Sequence, residues 1–350
     1  MSLVLITGSC GLVGSESVLF FSKKGFDIIG VDNNARKFFF GKDGDISWIK
    51  LKLKKNIKNY RHYDVDIKNY SNLRNIFKKY KKNISLIIHC AAQPSHDWAK
   101  TNPFFDFDIN AKGTLNLLEL TKKYCPDSPF IFMSTNKVYG DKPNSLPLEE
   151  KKLRWEIKKN HKFFKGINES MSLDDSTHSL FGVSKVYADL IVQEYGKNIG
   201  LKTTCFRAGC ITGPNHSGAK LHGFLSFLVK TSLKNKKYTL IGYKGKQVRD
   251  NIHSSDLVKC FWEFFKKPTS GKTYNTGGGR KSNCSILEAI KLVENYTNLK
   301  IKKNYLKDNR VGDHIWYISD MSKFKKDYPN WKQSYNTEKI IKELVNNFSF

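Results

Sequence analysis

Short apolar runs alternate with longer amphipathic segments through residues 1–212, and this alternation constrains the fold more than any other feature. The apolar runs predict strands at 3–7, 27–31, 61–65, 85–89, 129–133 and 202–206. The segments between them predict helices at 12–24, 71–82, 103–124 and 179–197. Strands that alternate with helices of this length form βαβ units around a parallel sheet. We therefore expect an α/β protein with a Rossmann-type, doubly wound parallel sheet.

The pattern becomes less regular from residue 213 onward, where glycine, proline and histidine cluster. We expect residues 1–212 to form a nucleotide-binding domain, and residues 213–350 to form mainly a smaller C-terminal substrate lobe, partly interleaved with the sheet. Two basic stretches, 36–60 and 141–178, are interpreted as insertions. In the first, lysines alternate with apolar residues around KLKLKK, which fits either a covered edge strand or an amphipathic piece.

The chain is strongly basic, with 60 lysines and arginines against 32 aspartates and glutamates and a net charge of +28 over 350 residues. Such a charge often indicates a nucleic-acid partner. The basic residues are spread over most predicted helix faces without a nucleic-acid-binding motif, so we expect no such partner. No apolar run approaches the ~20 residues of a membrane span, and no membrane association is expected. The 7 cysteines lack metal-ligand spacing, which predicts no metal site and reduced thiols in the cytoplasm.

A glycine-rich segment, TGSCGLVG, joins the first predicted strand to the first predicted helix. Its glycines let the backbone turn tightly and approach a pyrophosphate, whose charge the helix N-terminus favours. Asp32 closes the second strand, where its carboxylate can bind ribose hydroxyls and repel a 2′-phosphate, so NAD is expected rather than NADP. Arg36 lies close by in the sequence and weakens that preference. The cofactor contacts predicted here are Gly8, Cys10, Gly11, Leu12, Val13, Gly14, Asp32, Asn33 and Arg36.

Further candidates follow the third and fourth strands. Asp66 and Ile67 stand where an adenine would lie, and the small side chains of Ala91 and Ala92 leave room for a cofactor. Asn110 lies in the next predicted helix. Each of these residues alone is more often structural than functional. Together they lie near the carboxyl ends of successive parallel strands, where open α/β sheets bind ligands, so we expect all five to contact NAD.

Six motifs together resemble the extended short-chain dehydrogenases/reductases, the superfamily of NAD-dependent epimerases and dehydratases. They are TGSCGLVG, HCAAQ, INAKGTLNLLE, MSTNKVYGD, FGVSK and KQVRDNIH, and they cover nearly the whole chain. STNKVYGD and GKQVRDNIH are most similar to the CDP-paratose 2-epimerase (CDP-tyvelose epimerase) branch. The resemblance implies tightly held NAD and a nucleotide-diphosphate sugar, which is oxidised to a keto-sugar and reduced again on the opposite face. It also implies a role in surface-polysaccharide synthesis and a homodimer formed through two helices, here 103–124 and 179–197, or a higher homo-oligomer.

The resemblance further implies a catalytic trio, from which this sequence departs. The family uses a Ser/Thr hydroxyl, a tyrosine base and a lysine four residues later, whose charge lowers the pKa of the tyrosine. Thr135 and Lys185 match the hydroxyl and the lysine, and Lys185 is also expected to contact NAD. The tyrosine position is Phe181, which can neither accept nor donate a proton. Lys185, Thr135 or His178 could transfer the proton instead, the protein could bind its ligands without turnover, or it could catalyse a different redox step.

Two more positions bear on the substrate. Dehydratases of the superfamily carry an acidic pair after the threonine; here those positions are Asn136 and Lys137, which favours epimerisation. Arg249 resembles the family arginine that binds the diphosphate, a task for which the guanidinium fork is suited, and the alternative is an ion pair with Asp250 or another acid. The nucleotide, the sugar and the inverted carbon, C2 or C4, stay open. The predicted substrate contacts are Gln93, Thr135, Asn136 and Arg249.

Overall fold

A computed structural model of the protein describes residues 2–218, 223–309 and 312–348, and the chain divides into two compact units. The first unit comprises Met1–Val138, Leu180–Arg207 and Val258–Tyr274. The second comprises Tyr139–Ser179, Ala208–Leu257 and Asn275–Phe350. The boundary expected at residue 212 is coarser than this division, because 139–179 groups with the second unit and 258–274 groups with the first.

The described residues form 15 strands and 13 α-helices. The strands β1 to β15 are Leu3–Thr7, Asp27–Val31, Tyr60–Tyr63, Ile84–His89, Phe130–Thr135, Leu148–Glu150, Trp155–Ile157, Thr203–Ala208, Cys210–Thr212, Tyr238–Ile241, Val248–His253, Lys272–Thr276, Asn283–Ser285, Lys303–Leu306 and Trp316–Tyr317. The helices α1 to α13 are Leu12–Lys23, Ala35–Phe40, Ser47–Asn56, Tyr70–Tyr80, His96–Thr101, Pro103–Phe107, Gly113–Tyr124, Leu180–Lys197, Phe224–Leu233, Ser254–Lys266, Ile286–Thr297, Ser322–Asp327 and Thr337–Phe348.

The first unit is built on a seven-stranded sheet in the order β12-β8-β5-β4-β1-β2-β3. β1 pairs in parallel with both β2 and β4, β2 continues in parallel to β3, and β4 to β5. The chain therefore leaves β1 toward one edge and returns to β4 on its other side. At such a reversal the carboxyl ends of the strands leave a crevice for a ligand. The expected α/β class and Rossmann-type sheet are confirmed.

Burial on both faces explains the apolar character of these strands. All five residues of β1 are buried, as is nearly all of β4. Parallel strands covered by helices on both sides read as continuous apolar runs, which is why the sequence showed them clearly. The core of this unit includes Leu5, Ile29 and Ile87 from the strands and Leu117 and Val192 from the helices.

Two helical segments differ from the sequence predictions. The stretch 103–124 is not one regular helix, because a π-helical turn at Asp108–Lys112 joins α6 to α7. The lysine-rich stretch around KLKLKK is the helix α3, so the edge-strand alternative is wrong. Ile49 and Leu53, four residues apart, are its buried side chains, and the lysines lie on the other faces. Within the described ranges, no helix is both long and apolar enough to cross a bilayer.

The second unit contains smaller sheets. β11 lies between β13 and β15 and also pairs with β9, while β10 pairs with β14 and β6 with β7. A separate apolar core gathers side chains of α9, α11 and α13, including Leu228, Ile290 and Leu344. This unit therefore has its own core, as a compact folding unit requires.

Candidate active site

The loop between β1 and α1 has a shape that requires glycine at two positions. Gly8 adopts a φ of +66°, and a Cβ there would lie 2.7 Å from the backbone nitrogen of Ala91. A Cβ at Gly14 would lie 2.0 Å from the carbonyl oxygen of Gly8. The N–H of Gly11 donates to this same oxygen (2.9 Å). The loop thus brings bare backbone to the N-terminus of α1, where Leu12 and Val13 begin the helix, and this arrangement fits a pyrophosphate.

Asp32 directly follows β2 and is fixed by backbone donors. Its carboxylate accepts hydrogen bonds from the N–H of Cys10 (2.9 Å) and from the N–H of Asn34 (2.8 Å). Burial raises the pKa of the Asp32 carboxyl, and the two backbone hydrogen bonds oppose that rise. The carboxylate lies beside the glycine-rich loop, a suitable place for a group that binds ribose hydroxyls.

The two neighbours of Asp32 that were predicted to contact the cofactor differ in setting. Arg36 lies in α2 with its guanidinium carbon 4.9 Å from the centre of the Phe40 ring. Burial lowers the pKa of Arg36 to about 10, and the Asp32 charge counteracts this. Asn33 is exposed, and its side-chain oxygen accepts a hydrogen bond from the N–H of Ala35 (3.2 Å).

Sequence reasoning missed a buried cluster beside the glycine-rich loop. The Cys10 thiol lies 3.8 Å from the Tyr60 hydroxyl and 3.9 Å from Nδ1 of His62. The Tyr60 hydroxyl also lies 2.9 Å from the Ser9 hydroxyl. Burial raises the pKa of Cys10 to about 12, so its thiol stays protonated near neutral pH. Cys10 and Tyr60 are 50 residues apart, and no local pattern signals such a contact.

The remaining cofactor candidates also lie near the carboxyl ends of the strands. The Asp66 carboxylate accepts a hydrogen bond from the N–H of Lys68 (2.8 Å). Ile67 is buried, and a Cβ at Gly113 would come within 2.6 Å of its Cδ1, so helix and loop are in close contact there. The N–H of Ala91 donates to Oγ1 of Thr7 (3.3 Å), which places Ala91 and the adjacent Ala92 beside the end of β1.

Asn110 and Gln93 belong to one buried hydrogen-bond network. The Asn110 amide donates to the Gln93 carbonyl oxygen (3.1 Å), to Asp106 Oδ1 (3.0 Å) and to the Ser184 hydroxyl (3.1 Å). The Gln93 amide donates to Asp106 Oδ1 (2.6 Å) and to the carbonyl oxygen of Ser95 (2.9 Å). Gln93 is fully buried. The structure thus gives both residues a role in joining the loop after β4 to the neighbouring helices, while their predicted ligand contacts stay predictions.

Lys185 lies on α8 with its ammonium group inside the first unit. Its Nζ donates to the carbonyl oxygen of Met133 (2.7 Å) and lies 4.2 Å from the centre of the Phe132 ring. Burial lowers the pKa of Lys185 to about 8, and the charge of Asp189 counteracts this. The pKa of Lys185, whose ammonium group lies near the end of β5, is therefore close to neutral pH.

Thr135 is the last residue of β5, two positions beyond Met133. Its hydroxyl donates to Oδ1 of Asn136 (3.4 Å) and accepts from the N–H of Lys137 (3.2 Å). Thr135 is partly exposed, whereas Asn136 is 7% exposed. The structure therefore brings Thr135 and Lys185 to the end of one strand, with no carboxylate at positions 136 and 137.

Phe181 lies in the first turn of α8, one turn before Lys185, and is only 6% exposed. His96, the first residue of α5, packs edge-on against it, with ring centres 4.9 Å apart and an angle of 69° between the rings. Sequence reasoning missed His96, because nothing local ties the loop after β4 to α8. His178 does not extend α8, since the helix begins at Leu180; its Nδ1 lies 3.1 Å from the carbonyl oxygen of Ser176. His178 therefore does not lie on α8 with Phe181 and Lys185.

Arg249 lies on β11 of the second unit and is ion-paired. Its Nη2 lies 2.6 Å from Oδ1 of Asp313, and its Nη1 donates to the carbonyl oxygen of Val248 (2.9 Å). Asp250, the acid considered from the sequence, instead accepts a hydrogen bond from the N–H of Ser319 (2.9 Å). Binding of a diphosphate by Arg249 stays a prediction, and the Asp313 carboxylate would compete with it.

The first unit therefore combines a glycine-rich loop, a carboxylate beside it, and a buried lysine next to a threonine at the carboxyl edge of the same sheet. The lysine charge lies in a low dielectric, where it stabilises a nearby developing oxyanion more strongly than it would in water. Such a site is suited to interconverting a secondary alcohol and a ketone.

Comparison with known proteins agrees with this geometry. A model described as the NAD dependent epimerase/dehydratase family matches residues 4–277. The chain is 31% identical to the CDP-paratose 2-epimerase of Salmonella typhi over 91% of each chain. It is 28% identical to the UDP-glucuronate 4-epimerase of Thermodesulfobacterium geofontis over 99% of this chain and 96% of the relative. The solved structure of UDP-glucose 4-epimerase from Bifidobacterium longum in complex with NAD⁺ and UDP has a TM-score of 0.79 at 23% identity, and the match covers 99% of this chain and 97% of that one.

Proposed function

The chain belongs to the NAD-dependent epimerase/dehydratase family, and from this premise we propose that it epimerises a nucleotide-diphosphate sugar. The observation that carries the proposal is that the buried Lys185 contacts β5 at Met133, two residues before Thr135, in the same unit as the glycine-rich loop. We favour a CDP-paratose 2-epimerase-like reaction in surface-polysaccharide synthesis, because the CDP-paratose 2-epimerase relative exceeds 30% identity. Inversion at C4 of a UDP-sugar is the alternative, since UDP-glucuronate 4-epimerase is also a relative.

NAD is the cofactor of the family, which confirms the expected cofactor, and the residues of this chain fit it. When bound, NAD takes up and returns a hydride at one carbon of the sugar. In our proposal the backbone at Gly8, Gly11 and Gly14 binds the pyrophosphate; a Cβ at Gly8 would collide with the backbone of Ala91, and one at Gly14 with the Gly8 carbonyl oxygen. Asp32 binds the hydroxyls of the adenosine ribose.

In this proposal Lys185 and Thr135 act on the sugar hydroxyl that is oxidised. The Lys185 charge stabilises the oxygen that becomes a carbonyl, and the Thr135 hydroxyl holds that oxygen in place. Asn136 and Lys137 provide no carboxylic acid to protonate a leaving hydroxyl, so the proposed reaction retains every atom of the sugar and inverts one carbon. Arg249 is proposed to bind the substrate diphosphate in exchange for its contact with Asp313.

Phe181 favours a second candidate function, a protein that binds NAD and a nucleotide sugar without turnover. The buried phenyl ring stands where the family places its tyrosine and carries no ionisable group. This candidate predicts binding of both ligands and no product.

We also propose a homodimer that acts in the cytoplasm. Four apolar side chains at helical spacing along α8 are exposed, namely Leu180, Val183, Tyr187 and Leu190. An exposed apolar stripe on one helix usually marks a contact with another chain. The same helix was expected to form the dimer. None of the 7 cysteines, all of which lie within the described residues, forms a disulfide, which suits a reducing compartment.

The test is a panel of CDP-, UDP- and GDP-sugars incubated with the NAD-loaded protein and followed by NMR and mass spectrometry. Our proposal predicts an epimer of unchanged mass, and Thr135→Val should reduce its formation. Thr239→Val, at a partly exposed position of β10 in the second unit, is the matched control and should leave it unchanged. Binding without product would support the second candidate, and neither binding nor product would overturn both.

A further inference from the structure

We propose that His96 is the catalytic acid and base of this site and transfers the proton that the family's tyrosine would otherwise transfer. This inference rests on the proposed function. Because Phe181 replaces the tyrosine, another group has to accept the proton of the sugar hydroxyl.

The position of His96 carries the inference. Its ring lies edge-on against the Phe181 ring at 4.9 Å between centres, so it is the imidazole in direct contact with the side chain that fills the tyrosine position. Phe181 is buried, whereas His96 is partly exposed. A partly exposed imidazole can meet a substrate hydroxyl, while the phenyl ring forms an apolar wall beside it. Both residues lie in the first unit, together with Lys185 and Thr135.

The backbone before His96 is held in place by a buried clamp. The Gln93 amide donates to the carbonyl oxygen of Ser95 (2.9 Å), and the N–H of Ser95 donates back to Oε1 of Gln93. The Ser95 hydroxyl caps α5 by accepting from the N–H of Trp98 (3.3 Å). Asp106 binds the Gln93 amide from α6. Gln93 is therefore a positioning residue that fixes the loop presenting the imidazole, which a proton-transferring group requires.

The chemistry suits histidine. Its ordinary pKa lies closest to neutrality among the side chains, so its neutral form can accept a proton and its charged form can return one. The helices packed against α5 are α8, which carries Lys185, Asp189, Glu194 and Lys197, and α6, which carries Asp106; α5 itself carries Asp97 and Lys100. Lys185 lies one turn along α8 from Phe181, on the same face of the helix.

The O–H bond of the sugar breaks and its proton binds the neutral imidazole of His96, while the carbon–oxygen bond becomes a carbonyl and the hydride with its electron pair passes to NAD⁺. After the keto-sugar has rotated within the site, the hydride returns to the opposite face of the same carbon. The imidazolium of His96 gives the proton back to the oxygen, and the hydroxyl is restored.

The other candidates fit this role less well. The Lys185 ammonium group donates to the carbonyl oxygen of Met133, and its buried charge is needed beside the oxygen. The Thr135 hydroxyl is a poor base at neutral pH. Tyr187 is exposed on the stripe along α8 and contacts Phe107, with ring centres 5.8 Å apart.

The test compares wild type, His96→Gln, Phe181→Tyr and the double variant in three measurements. Turnover of the nucleotide sugar should fall by a factor of about 10²–10⁴ in His96→Gln, while NAD affinity stays unchanged. The double variant should regain much of the lost turnover, because a tyrosine then supplies the proton group. His161→Gln, at a histidine of the second unit, is the matched control and should leave turnover unchanged. The ¹⁵N signals of the His96 imidazole, assigned by their loss in His96→Gln, should shift when the nucleotide sugar binds.

Three results would overturn the inference. Full turnover in His96→Gln would exclude His96 while leaving the proposed function intact. Equal loss in the single and double variants, with unshifted His96 signals in the wild type, would make the residue purely structural. If the NAD-loaded wild type converts no nucleotide sugar, the proposed function itself fails. If His96→Gln does not fold, His96→Asn and the ¹⁵N measurement on the wild type distinguish between the same outcomes.

Discussion

Replacement of Gly14 by alanine is expected to weaken NAD binding severely, because the new methyl group would occupy the glycine-rich loop. Its Cβ would lie 2.0 Å from the Gly8 carbonyl oxygen, and the shortest ordinary van der Waals contact is 3.4 Å, so the loop would retreat by roughly 1.4 Å. A hydrogen bond from a backbone N–H to a phosphate oxygen spans only about 2.7–3.2 Å, so a shift of that size breaks it. Loss of one or two such bonds to a charged group, at ~2 kcal/mol each, raises the NAD dissociation constant about 30-fold to about 900-fold.

Isothermal titration calorimetry with NAD on protein stripped of cofactor measures this effect. The matched control is Gly25→Ala, at a position with a φ of +87° and no heavy atom within 4 Å of the added Cβ. Its left-handed backbone costs about 1–2 kcal/mol of stability, but NAD affinity should not change. If Gly14→Ala binds NAD as tightly as wild type, the loop does not hold the pyrophosphate and our placement of the cofactor is wrong.

Three further perturbations are expected to have distinct outcomes. Asp189→Asn breaks a buried ion pair with Arg207 (2.7 Å) and should lower the free energy of unfolding, measured by chemical denaturation, by ~3–5 kcal/mol. Glu149→Gln, which breaks an exposed ion pair with Lys151, is the control and should change the free energy of unfolding little. Val183→Glu puts a charge on a side chain that is 52% exposed on α8 and should convert dimer to monomer in light scattering without loss of thermal stability; an unchanged mass would exclude that face. The pKa of Lys185 is lowered from 10.5 to about 8, so turnover should fall as the pH rises through about 8. The free energy of unfolding should rise between about pH 8 and pH 10.5, because in that range the unfolded lysine binds a proton that the folded one has lost. Lys185→Met should remove that rise, and a pH-independent stability in the wild type would contradict the burial of the charge.

Six of the seven strands of the sheet could be predicted from the sequence, because most of them are apolar where helices cover both faces of the sheet; β12, with the sequence KTYNT, carries no such run and was not predicted. β1 and β2 begin and end where the apolar runs do. The lysine-rich helix α3 was ambiguous, because an alternating pattern of lysine and leucine fits a strand, and only the buried pair Ile49 and Leu53 reveals the helical period. The π-helical turn at Asp108–Lys112 had no local signal, since it depends on contacts between distant segments.

The glycine-rich loop and Asp32 were predictable because their spacing follows from a single βαβ unit. Lys185 and Thr135 came from a resemblance, and the structure places both at the end of β5. His96 could not be found that way, because its importance depends on its contact with Phe181 across two distant segments. The ion-pair partner of Arg249 could likewise not be predicted from the sequence, because Asp313 lies 64 residues further along the chain.

The fate of a deuterium label on the inverting carbon tests the central claim most directly. The NAD-loaded protein is given a nucleotide sugar that carries deuterium at that carbon, and the product is examined by NMR and mass spectrometry. Our account predicts an epimer that keeps the deuterium on the same carbon with no loss of mass, because the hydride leaves and returns within one site. Loss of the label to water, loss of a water molecule from the sugar, or no conversion of any nucleotide sugar would contradict it.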